Sequence, residues 1–116
     1  MSVLTDVKAL LSGSVSNIYI GEKPTSPDSV VALYNAGGYP RSLSGNYVSE
    51  PTIMIHVRDN SYAQAENICE TIKNLLHGVH ENGKIMLIEQ QGDVLDLGRD
   101  ENNRAELSIN FRLYYR

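Results

Sequence analysis

Residues 34–62, YNAGGYPRSLSGNYVSEPTIMIHVRDNSY, predict a loop, a strand and the start of a helix in succession. The stretch 35–49 holds three glycines and one proline among serines and asparagines. It has too few apolar side chains to bury itself, and it predicts an exposed loop. From 52 to 58, apolar side chains alternate with more polar ones, which is the period of a strand with one face in the core. The apolar positions are Ile53, Ile55 and Val57.

A helix is predicted directly after this strand. Ser61 and Gln64 have the spacing of a capping box, in which the serine oxygen accepts a hydrogen bond from the third helical N–H group. An apolar stripe then follows at helical spacing until Gly78, a residue suited to the left-handed conformation just past a helix. The stripe consists of Ala65, Ile68, Cys69, Ile72, Leu75 and Leu76.

The N-terminal third predicts a short helix and two short strands. Its helical stripe ends at residues 12–14, Ser-Gly-Ser, and consists of Leu4, Val7, Leu10 and Leu11. Residues 17–21 and 29–34 are rich in Ile, Val and Tyr and predict strands. The two prolines within 22–28 predict a turn or an extended connection between them.

The C-terminal third predicts three strands, over 84–91, 93–99 and 105–116, with a turn at 100–103. Gly92 and Asp93 mark a turn or a bulge between the first two. Together the elements predict an α+β fold in the order α-β-β-β-α-β-β-β, in which two helices pack on one face of an antiparallel or mixed β-sheet. Residues 1–116 are expected to form a single domain.

Composition excludes several classes of protein. With 41% hydrophobic and 21% charged residues, a chain of 116 residues suffices for one folded core. No apolar run approaches the roughly 20 residues of a membrane helix, and the N-terminus lacks a basic leader, which predicts an intracellular protein. The single cysteine, Cys69, excludes an internal disulfide and is typical of a small core residue.

The sequence contains no enzyme signature. His77, His80 and Glu81 lie close together, but their spacing is not that of a structural zinc site. We therefore predict no catalytic residue, no bound metal and no cofactor. The alternative from another class is a small enzyme or ligand-binding domain that uses His56 and Arg58 in a pocket on the sheet.

The net charge of −4 is distributed unevenly along the chain. Residues 81–106 hold seven acids and three bases (−4), whereas residues 1–80 sum to −2 and residues 107–116 to +2. Affinity for nucleic acid depends on Lys and Arg that displace counterions, so this acidic region disfavours specific DNA binding. The alternative is that the acids simply solvate the turns of a β-region.

Tyrosines in and around the loop are candidate contacts with another protein. Tyr34, Tyr39 and Tyr47, with Arg41 between them, are residue types enriched where interfaces derive their affinity. The alternative is that these tyrosines cap the edge of the domain's own core. The strand that ends at 114–116 is expected to offer an exposed edge as a second pairing surface. Two contact surfaces on one chain permit a closed ring.

Four stretches of the sequence resemble the small minor capsid and tail-terminator (head-tail joining) proteins of tailed bacteriophages. These stretches are residues 19–22 (YIGE), 37–40 (GGYP), 51–58 (PTIMIHVR) and 61–78. The resemblance implies a structural, non-enzymatic protein of the virion tail or neck that is assembled in the host bacterial cytoplasm. It implies a six-fold ring that caps the tail tube and joins the tail to the capsid connector.

The resemblance also implies partners and contact residues. The partners are further copies of the chain, the tail tube protein, a connector or head-completion protein, and DNA that passes without specific binding; no membrane is implied. The implied interface consists of Tyr34, Gly37, Gly38, Tyr39, Pro40, Arg41 and Tyr47. Acids that would face the ring's lumen are Asp93, Asp96, Asp100 and Glu101. A head-completion or connector-adaptor protein remains the alternative within this class.

Overall fold

In the computed structural model, which describes residues 2–39 and 48–116, the chain forms two helices and six strands. Their order is α1 (Val3–Leu11), β1 (Ile18–Ile20), β2 (Val30–Tyr39), β3 (Glu50–Asp59), α2 (Tyr62–Leu76), β4 (His80–Asn82), β5 (Ile85–Arg99) and β6 (Ala105–Tyr115). Neither helix is long and apolar enough to cross a membrane.

The six strands form one mixed sheet in the order β1-β2-β3-β6-β5-β4. Only β1 and β2 are parallel, and the remaining neighbours are antiparallel. The predicted α+β class is confirmed. The expected edge at residues 114–116 is wrong, because β6 lies between β3 and β5 and Tyr115 is buried. The outer edges of the sheet belong instead to β1 at one side and to β5 and β4 at the other.

The C-terminal strands differ from the prediction. The predicted strands 84–91 and 93–99 are one long strand, β5, because Gly92 adopts a positive φ of 70° inside a bulge and does not form a turn. The short strand β4 was not predicted, since its residues are polar and exposed and give no apolar alternation. The predicted order of two helices and six strands therefore matches the observed order. However, the two strands predicted directly after α2 are both part of β5, and the observed first strand after α2 is β4.

Strand β2 extends through Tyr39, five residues into the range predicted as an exposed loop. Residues 35–38 are exposed as expected, although they belong to a strand. Gly38 lies so close to β3 that an added Cβ would be 2.3 Å from the carbonyl oxygen of Glu50. Its φ of 121° is also one that side chains with a Cβ rarely adopt, so glycine is required at this position.

Both helices pack against the same face of the sheet. Their buried side chains form one cluster with alternate residues of the strands, including Ile53, Ile55, Val57 and Phe111. As predicted, Ser61 caps α2, with its side chain accepting from the N–H group of Gln64 at 3.3 Å, and Gly78 follows in the left-handed region. Cys69 is a core residue with 1% exposure, and burial raises its pKa to about 12.

The opposite face is held by two buried arginines and the segment between β1 and β2. Arg58 is 2% exposed and donates to the carbonyl oxygens of Pro24, Thr25, Pro27 and Asp28 at 2.6–3.4 Å. Arg104 is 4% exposed and donates to the Thr25 carbonyl at 2.5 Å and to the Asp28 carboxylate at 3.2 Å. Residues 24–28 are thereby fastened to the sheet.

Replacement of the guanidinium of Arg58 tests this fastening. We expect Arg58→Met to lower the free energy of unfolding by about 2–4 kcal/mol, because it removes the bonds of a charged donor to several part-buried carbonyl oxygens. Arg99→Met is the matched control, since Arg99 is exposed and donates to one carbonyl, that of Asn103. Urea unfolding measures both variants. Equal midpoints for the two would show that the Arg58 bonds do not hold the segment.

Candidate interface

The Tyr34 side chain makes a contact within the chain itself. Its ring lies edge-on to His56, with ring centroids 5.4 Å apart and an angle of 66° between the rings. The side chain is half-buried on the face opposite the helices, because it alternates with the core residues of β2. Gly37 and Gly38 follow on the exposed end of β2, and Tyr39 ends that strand. Pro40, Arg41 and Tyr47 lie outside the described residues, so their predicted contacts remain a prediction.

His56 lies on the face opposite the helices, beside an ion pair between Lys23 and Glu106. Its Nδ1 atom is buried and has no hydrogen-bond partner among the described residues. Burial lowers the pKa of His56, the positive charge of Lys23 lowers it further, and Glu106 opposes the shift. The ion pair of Lys23 with Glu106 was not predictable from local sequence patterns, because its members are 83 positions apart.

Arg58 is not available to a ligand. Its Nε and Nη2 atoms already donate to backbone carbonyls of the segment that it fastens, and its side chain is almost fully buried. The alternative of a ligand pocket built from His56 and Arg58 is therefore wrong for Arg58. The alternating pattern predicted that this side chain points away from the core, but not that the chain's own backbone covers it.

Two of the four predicted acids lie on β5, and the other two lie in the turn that follows it. Asp93 and Asp96 lie beside α2, where Lys73 approaches Asp93 at 3.3 Å and the Tyr62 hydroxyl donates to Asp96 at 3.2 Å. The N–H group of Val94 is the main cause of the lowered pKa of Asp93, followed by Lys73. With these two acids, Glu66 and Glu70 line a groove of about 300 Å³ between α2 and β5.

Asp100 has a structural role in the β5–β6 turn. Its carboxylate accepts from the N–H groups of Asn102 and Arg104 and from Nε of Arg104, at 2.8–3.0 Å. The backbone N–H of Arg104 is the main cause of its lowered pKa. Glu101 is exposed in the same turn. Asp93 and Asp96 thus face the groove, whereas Asp100 is used to build the turn.

The exposure of apolar side chains at the sheet edges was not predicted from the sequence. Leu95 and Leu97 on β5 are 59% and 42% exposed, and Ile20 on β1 is 38% exposed. The alternation of apolar Leu95 and Leu97 with Asp96 was visible in the sequence. It did not indicate that this part of β5 lies at an edge, because edge position depends on the strand order.

The lowered pKa of His56 predicts a pH dependence of stability. The unfolded chain binds a proton at His56 near the ordinary value of 6.5, whereas the folded chain binds it only at lower pH. The folded state is therefore not penalised by protonation of His56 above about pH 6.5. Its free energy of unfolding decreases as the pH falls from 6.5 through the lowered pKa of His56.

His56→Phe keeps an aromatic ring beside Tyr34 and removes the titrating group. We expect the loss of stability between about pH 7.5 and about pH 5.5 to be smaller in this variant than in the parent. Urea unfolding at the two pH values measures the difference. The same loss in both proteins would mean that His56 does not cause it.

Comparison with known proteins identifies the family. A chain from the virion of a native gene transfer agent particle aligns with a TM-score of 0.67 at 15% identity, over 99% of this chain and 85% of that chain. A second solved chain aligns with a TM-score of 0.54 at 11% identity, over 98% and 87%. At these identities the likeness shows the fold alone. No curated protein matches the sequence. The family model for the bacteriophage tail terminator protein matches residues 4–116, and the chain therefore belongs to the bacteriophage tail terminator family.

Proposed function

We propose that this protein caps the phage tail tube as a ring of identical subunits and provides the surface that joins the tail to the head. The family match over residues 4–116 carries this proposal, because it makes the chain a structural phage tail protein. That match also favours a tail terminator over a head-completion or connector-adaptor protein. A six-fold ring remains part of the proposal.

The two ends of the sheet suit two different partners. Gly38 of β2 pairs with Pro51 at one end, where Tyr39, one of the predicted contact residues, ends the strand. The β5–β6 turn lies at the other end, where Ala105 pairs with Asp59. Strand β3 spans the ten residues between them, a distance of about 30 Å. In the proposed ring, one end contacts the tail tube protein and the other the capsid connector.

The acidic residues suit a channel through which DNA passes without being bound. Asp93 and Asp96, with Glu66 and Glu70, place four carboxylates and one Lys73 amino group around the groove beside α2. Such a surface repels phosphates and does not displace their counterions. We propose that this groove faces the lumen. An electron-microscopic reconstruction of capped tubes tests the orientation, and a groove on the outer circumference would contradict it.

The predicted contact residues are tested with tail tubes. We expect the double substitution Tyr39→Ala with Arg41→Ala to abolish ring formation or tube capping while leaving the urea midpoint unchanged, because interface affinity is concentrated in few Tyr and Arg side chains. Light scattering across concentration and electron microscopy of mixtures with tubes provide the readouts.

Lys8→Ala is the control for that experiment, since Lys8 is exposed on α1 and outside the predicted interface. The control is expected to cap tubes like the parent. A double variant that also caps like the parent would overturn the assignment of Tyr39 and Arg41. A parent protein that binds capsid connectors and ignores tube ends would replace the terminator proposal with the head-completion alternative.

A further inference from the structure

One row of directly paired residues crosses five strands of the sheet. The row consists of Tyr19, Ala32, His56, Ser108 and Leu95. Directly paired residues in neighbouring strands project from the same face. Tyr19 and Leu95 are therefore the two ends of a single row on the face opposite the helices.

Both ends of this row are open in the part of the chain that the structure describes. Strand β1 pairs only with β2. Strand β4 pairs with β5 at Ile85 and Leu87, and contacts from residues 77–79 extend this cover only as far as Gln90. Beyond Gln90, no described strand pairs with the outer side of β5. Open edges of this kind are templates for pairing with another chain.

The open edges also carry most of the exposed large apolar side chains among the described residues. Leu95 and Leu97 belong to the β5 edge, Ile20 belongs to the β1 edge, and Tyr62 is the fourth such residue. Tyr19, at the end of the row, is half-buried. Contact between the two edges would shield Leu95 and Leu97 together with Ile20, with Leu95 against Tyr19 on the face opposite the helices and Ile20, which alternates with Tyr19, on the helix face.

The two edges are matched in length. Strand β1 offers three residues. Strand β5 has bulges between Gln91 and Leu95 and between Asp96 and Gly98, which leave only a short regular stretch around Leu95. The carboxylates of Asp93 and Asp96 already accept from the N–H groups of Val94 and Gly98, so these donors are not available to a partner. A short edge suits a short partner strand.

The edges are also matched in direction. Strand β1 runs parallel to β2, and the three steps from β2 through β3 and β6 to β5 are all antiparallel. Strands β1 and β5 therefore run in opposite directions. A second copy that is shifted along the row brings its β1 beside β5 of the first copy as an antiparallel pair. Such a contact joins two different surfaces and closes into a ring when the rotation permits.

We propose that the β5 edge, defined by Leu95 and Leu97, binds the β1 edge of a second copy, defined by Tyr19 and Ile20, and so continues the sheet from subunit to subunit. This inference rests on the proposed ring and names the surfaces that form it. The row from Tyr19 to Leu95 lies on the face opposite the helices, whereas Asp93 and Asp96 lie on the side of α2. The groove and the subunit contact can therefore coexist.

Disulfide trapping tests the contact directly. Directly opposed residues of an antiparallel pair have Cβ atoms about 4.5–5.5 Å apart, a separation close to that of a disulfide. We expect Tyr19→Cys with Leu95→Cys in one chain to give, on oxidation, a ladder of linked oligomers up to the full ring. The native Cys69 is buried and does not interfere. Each single variant is expected to stay unlinked, and an equimolar mixture of the two is expected to give dimers only.

The outcomes separate this contact from the proposed function. Capped tubes or rings without cross-links in the double variant would overturn the edge contact and leave the terminator function standing. Dimers from Leu95→Cys alone would also overturn it, because they would show two β5 edges in contact. If neither rings nor capped tubes nor cross-links form under any condition, both the ring and this contact are wrong.

A second pair of variants measures the contribution of the apolar side chains. Leu95→Ser with Leu97→Ser is expected to weaken self-association by about tenfold or more, because two apolar side chains lose their burial. The urea midpoint should not change, since both side chains are exposed in the single chain. Leu95→Met with Leu97→Met is the matched control and is expected to assemble like the parent. Unchanged assembly of the serine variant would overturn the proposal.

Discussion

The bonds from two buried arginines to the segment 24–28 are the constraint on which one whole face of the sheet depends. A buried guanidinium is tolerated only when its donors are satisfied, and here Arg58 and Arg104 are satisfied mainly by backbone carbonyls and the carboxylates of Asp28 and Asp100. The same bonds satisfy carbonyl oxygens of a proline-containing segment that forms no strand of its own. Val30, which pairs with Arg58, and Ala32, which pairs with His56, lie on this face of β2 and are fully buried.

This fastening leaves the sheet with two unequal faces and two open edges. The helices cover one face with a continuous apolar cluster. The other face is held at one end by the arginines, where Glu106 pairs directly with Arg58 and its ion pair with Lys23 lies beside His56. Among the described residues, no further strand pairs with the outer side of β1 or with the outer side of β5 beyond Gln90. The two edges are therefore surfaces where unpaired strand backbone and exposed apolar side chains are available for contact with another protein.

Local patterns predicted the parts of the fold that depend on neighbouring residues. The cap of α2 at Ser61, the glycine at 78 and the alternation of β3 were readable because each is decided within a few positions. Of the predicted interface, the structure describes Tyr34, Gly37 and Gly38 and the position of Tyr39 at the end of β2, and the assignment as contacts stays a prediction.

Long-range pairings could not be predicted in this way. The ion pair of Lys23 with Glu106, the hydrogen bond from the Tyr115 hydroxyl to Asp6, and the cover over Arg58 join residues more than 30 positions apart. Strand β4 could not be predicted from its own sequence, because its residues are polar and exposed and it is defined by its pairing with β5. The row from Tyr19 to Leu95 depends on four registers at once, and no single strand of the sequence contains it.

The proposed edge contact has a physical consequence for how assembly is controlled. A long, flat, apolar edge would pair without limit, which is the route to aggregation. The bulges on either side of Leu95 in β5 and the three-residue length of β1 make each contact short and therefore weak. In a closed ring every subunit makes two such contacts, and the last contact forms within one assembly at a high effective concentration. Weak edges thus favour a closed ring, or a ring templated on a tube end, over the open chains that the same surfaces would otherwise form.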